Sequence, residues 1–291
     1  MKSKPYILND LTPDNVSFKS EEIASLVKEF GLVVLPKFFR EDKNFEIFLR
    51  DVQESLAQMC SKYEVEIKAN DLGDMLTQIS VLKPEIGRII ADLGTQPNKY
   101  FSFNALKYSS AIADILREYF GSSGIILTPP SGDTLHFFPP GNKFHKYNLP
   151  AHQDYPYLMQ SPDQLTFYLG LSVYEEGVGG LRVWEKSHSQ GLLPTHKNSN
   201  GNFEIGEETF DQSAYVQTDI FWNPGDFGIF DSLLCHASIP NASSDSSRIV
   251  QIFRYSNIDN ELSRSYDFYS TTYSRRSVAF EDIHADFYKQ T

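Results

Sequence analysis

Pro150-Ala151-His152-Gln153-Asp154-Tyr155-Pro156-Tyr157-Leu158 is the stretch on which the reading of this chain turns. His152 and Asp154 stand two residues apart. On a β-strand or its end, alternate side chains share a face, so an imidazole and a carboxylate converge on one point. They supply two ligands of a facial metal site. The third has to come from a distant strand, and His236, in Leu233-Leu234-Cys235-His236-Ala237-Ser238-Ile239, has the apolar, strand-like setting for it. Two histidines and one carboxylate with open positions form the ligand set of non-haem Fe(II) oxygenases. A His-x-Asp alone is weak evidence in a chain with 7 histidines, where a surface turn is the plain alternative. Arg248, on the next expected strand after His236, adds to it, because guanidinium pairs with a carboxylate in a two-point, charge-assisted way. Arg254, further along the same strand face, is its rival; the spacing favours Arg248.

Around this stretch the texture is β-like. Short apolar runs occur at Ile125–Thr128, Thr134–Phe138, Leu165–Tyr174, Leu181–Glu185, Val216–Trp222, Asp226–Asp231 and Ile249–Tyr255, separated by turns rich in Pro, Gly, Asn and Ser. An antiparallel sandwich or barrel is the expected result. The first 120 or so residues read differently. Ile23, Leu26, Val27 and Phe30 make a helical stripe over 20–31, with Ser20 as N-cap and Gly31 as stop, and Leu32–Leu35 forms a brief strand closed by Pro36. Phe45, Phe48, Leu49, Val52, Leu56 and Met59 predict a helix over 42–62. Two helical pieces follow over 71–93, broken near Pro84, and another over 109–120. No composition break marks a linker, so the expectation is one domain over 1–291, mainly β, with a helical part of about 1–121 packed on a β-core of about 124–256. The polar segment 195–213 is a candidate lid or surface excursion.

Composition narrows the function classes. Hydrophobic residues make up 41% and aromatics 14%, enough for a core without covalent staples. A net charge of −12 argues against a sequence-independent grip on nucleic acid and against an anionic membrane. Two cysteines, Cys60 and Cys235, give no disulfide framework and point to the reducing cytoplasm. Neither a signal peptide nor a membrane span is expected. The partner is therefore a small-molecule substrate, and no obligate protein partner is evident.

Other residues have plainer readings. His188 is a turn residue, Cys235 a small buried residue, and Gly177–Gly180 a sheet turn, since no helix follows to hold a phosphate. His136 and His145 flank the strand before the site. The expected pocket contacts are Gln153, Phe138, Tyr155 and His136, within an aromatic group that includes Phe137 and Tyr157.

Taken in order, His152-Gln153-Asp154, Gly179-Gly180-Leu181-Arg182-Val183-Trp184-Glu185-Lys186-Ser187-His188, Asn223-Pro224-Gly225-Asp226, His236 and Arg248 resemble the phytanoyl-CoA dioxygenase (PhyH) family of Fe(II)/2-oxoglutarate oxygenases. Phe30-Gly31-Leu32-Val33-Val34-Leu35-Pro36 resembles that family's opening helix-to-strand passage. The resemblance covers roughly residues 22–256 and implies a double-stranded β-helix, the jelly roll of cupins. It implies that His152, Asp154 and His236 ligate iron, and that Arg248 binds the far carboxylate of 2-oxoglutarate with help from Ser238. Tyr168 falls where many relatives carry a tryptophan lining the cosubstrate pocket. The implied reaction uses Fe(II), 2-oxoglutarate and O2, releases succinate and CO2, and hydroxylates an unactivated C–H bond, as in natural-product tailoring. Halogenating relatives carry a small residue where Asp154 stands, so halogenation is disfavoured. The acidic balance favours a cationic or zwitterionic substrate over a coenzyme A thioester. Desaturation, ring closure or epimerisation with the same cofactors, a metal- and 2-oxoglutarate-binding module without catalysis, and a cupin-like isomerase are the alternatives.

Overall fold

Two antiparallel sheets face each other, and a layer of helices covers the outer side of the larger one. A computed structural model describes residues 4–66, 71–82, 99–121, 125–128, 132–142, 148–174, 177–265 and 280–288. The expected break near Pro84, the helical run to 93 and His145 lie outside the described residues.

The helices are α1 (Ser20–Phe30), α2 (Lys43–Lys62), α3 (Leu72–Leu82), α4 (Phe101–Lys107), α5 (Ser110–Phe120), α6 (Tyr155–Leu158), α7 (Glu261–Ser265) and α8 (Phe280–Ile283). In α1, Ser20 is the first helical residue rather than the cap, a place taken by Lys19. Gly31 closes α1 at φ 84°, a left-handed turn that glycine adopts without strain. A side chain there would also run into Nδ1 of His188 and the Leu234 methyl group. Asp42 caps α2 by accepting from the amides of Asn44 and Phe45, at 2.7 and 3.1 Å.

The strands are β1 (Leu32–Leu35), β2 (Ile126–Leu127), β3 (Thr134–Phe138), β4 (Gln164–Gly170), β5 (Gly180–Trp184), β6 (His196–Lys197), β7 (Phe203–Glu204), β8 (Gln217–Ile220), β9 (Phe227–Asp231), β10 (His236–Ile239) and β11 (Arg248–Asn257). The larger sheet runs β1-β9-β4-β11, and β2 and β3 share the far edge of β11. The smaller sheet runs β10-β5-β8.

Alternation decides what each face of the larger sheet does. Phe167, Phe227, Ile229, Ile249, Phe253 and Tyr255 point outward into the cluster they share with Ile23, Phe48 and Phe103 of the helices. Phe167 and Phe253 stack there with ring centroids 5.3 Å apart. Each such buried ring contributes about 2–3 kcal/mol of burial, which pins the sheet from behind. Tyr168, Phe230, Val250 and Ile252 point inward and meet Leu181, Val183 and Ile220 of the smaller sheet.

The expected strands lie close to the observed ones. The run from Leu165 stops at Gly170, which lies so close to the Asn223 backbone and the Trp222 side chain that an added Cβ would collide with them. Among the described residues the class is mixed helix and antiparallel sheet. Segment 195–213 is no bare polar loop: it contains the β6–β7 hairpin, and its Phe203, Ile205 and Phe210 are buried. Residues 280–288 close over it, with the Thr195 amide donating to the Phe287 carbonyl at 2.7 Å. No helix among the described residues is long and apolar enough to cross a membrane.

Candidate metal centre

His236 opens β10 and His152 pairs with it as an isolated antiparallel bridge, their amides and carbonyls exchanging bonds of 2.9 and 3.0 Å. The pairing ends there. Asp154 already has helical dihedrals and leads into α6, with Pro156 in its first turn. The expected two-residue spacing on a strand end is therefore met by a bridge that breaks into a turn. Ligand atoms of His152, Asp154 and His236 all lie within 4.8 Å of one another, and all three residues are buried. Asp154 Oδ1 stands 3.8 Å from His152 Nε2 and 3.9 Å from His236 Nε2.

Hydrogen bonds select the tautomers. Nδ1 of His152 meets the Pro150 carbonyl at 2.7 Å, and Nδ1 of His236 meets the Leu234 carbonyl at 2.9 Å. A carbonyl only accepts, so each Nδ1 carries the proton and each Nε2 presents its lone pair to the centre. Burial, reinforced by the neighbouring His236, pushes His152 down to about 3, and burial lowers His236 as well. Burial alone would raise the Asp154 carboxyl. The Arg254 guanidinium, the two imidazoles and the Thr166 hydroxyl outweigh it and hold the carboxyl well below its usual range. At neutral pH the cluster is two neutral imidazoles and one carboxylate, the state in which such groups bind a divalent metal.

The two arginines of β11 are held quite differently. Arg254 is engaged: Nε and Nη2 donate to Asp154 Oδ2 at 3.2 and 3.1 Å, and Nη1 donates to the Gly132 carbonyl at 3.1 Å. Arg248 is only 2% exposed, yet Nε, Nη1 and Nη2 have no hydrogen-bond partner among the described residues. Its guanidinium lies 3.9 Å from the centroid of Phe138, its register partner on β3. A buried cation left without an anion costs several kcal/mol, so the site is built for an anionic guest. Tyr168 lies between the two ends of the pocket. Burial raises its phenol, and it feels the charges of both Arg248 and Asp154.

The remaining expected residues are sorted by the structure. Ser238 stays on the His236 face of β10, and its Oγ accepts from the Leu149 amide at 3.2 Å. His136, opposite Val250, turns inward near Thr134 Oγ1 at 3.0 Å. Two pocket expectations need correction. Gln153 is a brace: its Nε2 donates to the Gly191 and Leu233 carbonyls and its Oε1 accepts from the Leu193 amide, which uses its amide group in backbone contacts. Tyr155 turns toward the C-terminal segment, with Oη 2.9 Å from His284 Nε2. Tyr157 is the aromatic that meets His152, edge-on at 5.5 Å. Sequence reasoning missed the Thr166 and Arg254 contacts to Asp154: Arg254 was read only as a rival to Arg248, and the target of both is a turn residue distant in sequence. His188 binds the Lys28 carbonyl at 3.0 Å, away from the centre. Burial pushes the Cys235 thiol up to about 12, consistent with an inert buried side chain.

A curated relative, 1-deoxypentalenic acid 11-beta-hydroxylase of Streptomyces exfoliatus, is 29% identical over 119 residues, 38% of this chain and 42% of that protein. The match therefore spans less than half of the relative's length. Among solved structures, the non-haem alpha-ketoglutarate-dependent carbocyclase SnoK from nogalamycin biosynthesis superposes with a TM-score of 0.56 at 16% identity, covering 87% of this chain and 92% of that one. The epimerase SnoN from the same biosynthesis gives 0.51 at 12% identity, covering 82% and 83%. At these identities the likeness is one of fold. The phytanoyl-CoA dioxygenase (PhyH) family model matches residues 21–250, from α1 to the first residues of β11, and the chain belongs to that family of iron- and 2-oxoglutarate-dependent enzymes.

Proposed function

We propose that this protein is an Fe(II)- and 2-oxoglutarate-dependent oxygenase that hydroxylates an unactivated C–H bond of a small metabolite, and that its facing sheets form a double-stranded β-helix. The observation that carries the reading is Arg248, buried and without a hydrogen-bond partner among the described residues, on the same face of β11 as the Arg254 that holds Asp154 of the His152, Asp154 and His236 cluster. A metal site alone would fit many chemistries. A metal site facing a buried, vacant guanidinium fits a ligand that is a chelator at one end and a carboxylate at the other, as 2-oxoglutarate is.

In this reading His152 Nε2, His236 Nε2 and Asp154 Oδ1 hold the iron, and Arg248 takes the far carboxylate in a charge-assisted pair. Ser238 and Tyr168 line that space. Iron and 2-oxoglutarate, when bound, supply the oxidising power: with O2 the keto acid becomes succinate and CO2, one oxygen atom going to succinate and the other to the substrate carbon. The protein's own part is positioning and exclusion of water. Tyr157, against His152, forms the wall we assign to substrate in place of Gln153 and Tyr155. The hydroxylase activity of the curated relative supports this outcome.

The test is anaerobic titration of Fe(II) and 2-oxoglutarate into metal-free protein. A weak visible charge-transfer band is expected, fading to succinate when air is admitted, and absent in His152→Ala. Full succinate production by His152→Ala would overturn the reading. Heavy-isotope dioxygen then separates hydroxylation, which carries label into the product, from ring closure, desaturation or epimerisation, which do not.

A further inference from the structure

The two oxygens of Asp154 are treated differently. Oδ1 faces both imidazoles, at 3.8 and 3.9 Å. Oδ2 is turned away and accepts from Thr166 Oγ1 at 2.6 Å and from Arg254 Nε and Nη2 at 3.2 and 3.1 Å. An ionised carboxylate offers roughly two acceptor sites per oxygen, so three donors leave Oδ2 no room for a metal. The clamp is part of the sheet. Thr166 on β4 and Arg254 on β11 are direct register partners, so their side chains rise from the same face beside each other. Arg254 is in turn fixed by the Gly132 carbonyl and by contact of Nε with Thr166 Oγ1 at 3.2 Å.

We propose that Arg254 and Thr166 are a positioning pair that makes Asp154 a one-oxygen ligand, reserving the open positions of the centre for the keto acid and O2. The proposal rests on the reading that the triad holds iron. Free aspartate can bind a metal through both oxygens, and a second oxygen would occupy a position that 2-oxoglutarate needs. The Arg254 charge also offsets that of the carboxylate, which lets Asp154 stay ionised and buried before metal arrives. Arg254 is thereby spoken for, and the cosubstrate is left to Arg248. An ordinary buried ion pair would instead support the fold alone, and its loss would weaken stability, metal binding and cosubstrate binding together.

The experiment uses Co(II), whose visible ligand-field bands weaken as coordination number rises, titrated into metal-free wild type, Arg254→Gln, Arg254→Lys and Thr166→Val, followed by 2-oxoglutarate. Arg254→Gln is expected to bind Co(II) within about threefold of wild type, since the freed oxygen and the removed like charge compensate, but with weakened bands. Its affinity for 2-oxoglutarate is expected to fall about 10–100-fold. Arg254→Lys, which keeps the charge without the fork, and Thr166→Val should show the same spectral change in smaller measure; they decide the matter if Arg254→Gln does not fold. Wild-type spectra and wild-type 2-oxoglutarate affinity in the folded variants overturn the proposal, as does a parallel loss of metal, cosubstrate and melting temperature. Failure of the wild type to bind Co(II) would remove the iron reading itself, and the clamp with it.

Discussion

Arg248 holds a charge where the described protein gives it nothing but the face of Phe138. Such a group destabilises the ligand-free fold and is retained for what it binds. Arg248→Met keeps length and packing while removing the charge. The expected outcome is a ligand-free protein more stable by about 1–3 kcal/mol in denaturant titration, with 2-oxoglutarate affinity lower by about 100-fold or more. A variant that lost both stability and affinity would mean that Arg248 has a structural counter-ion in the folded protein. The sequence singled out this arginine by its spacing after His236 and by the family resemblance. It did not show that Arg254, on the same face, is held by Asp154, because nothing in a linear pattern says which of two equivalent cations has a partner.

At the scale of elements, the N-terminal segment is tied to the smaller sheet by one acid. Glu185 Oε1 accepts from Lys4 Nζ at 2.6 Å, from Tyr6 Oη at 2.7 Å and from Thr218 Oγ1 at 2.5 Å, while Tyr6 and Leu8 pair with Val34 of β1. Burial raises the Glu185 carboxyl, and the bonds from Lys4, Thr218 and Tyr6 more than reverse it, so the folded-state pKa is depressed. The sign follows: an acid with a depressed folded pKa stabilises the fold above its ordinary range and loses that contribution as pH falls through its folded pKa. Protection of the Leu8 and Val34 amides, their exchange measured relative to the intrinsic rate at each pH, should therefore fall as pH drops below the ordinary glutamate range, and Glu185→Gln should lower it already at pH 7, at a cost of about 1 kcal/mol. Protection factors independent of pH in the wild type would show that the strap does not depend on Glu185. Strand positions were legible because alternation leaves a strong mark, as in Thr134–Phe138. The β6–β7 hairpin was not, because Phe203, Ile205 and Phe210 stand singly among Asn, Gly and Glu and are buried by residues distant in sequence, among them Trp184, Cys235, Tyr157 and Phe280.

For the whole molecule, legibility followed the division of labour between the layers. Helices with a long apolar stripe obey a local periodicity and were read nearly to the residue, as with α2 over Lys43–Lys62, whereas the short α4 was not anticipated. The centre depends on pieces far apart in sequence, and only its ligand types and order were visible. The contacts that orient them, from Gln153 bracing the turn to Arg254 holding Asp154, come from register and closure of the sheets.

One strand, β11, holds both ends of the pocket. Arg254 fastens the Asp154 carboxylate near one end of it and Arg248 stands at the other, and between them every residue is paired, to β3 over Arg248–Ile252 and to β4 from Val250 onward. A strand held in a sheet along this whole length does not stretch, so the interval between Asp154 and Arg248 is a fixed gauge rather than an adjustable gap. The protein should accordingly measure its keto acid by length. With Arg248 as the proposed partner of the far carboxylate, five-carbon 2-oxoglutarate is the expected fit, and analogues one carbon shorter or longer are expected to be turned over at least about tenfold less efficiently, a discrimination that a methylene supplies when neither anchor can move. Competition among the three keto acids for succinate-type decarboxylation would read that gauge directly, and equal use of all three would show that one anchor gives way.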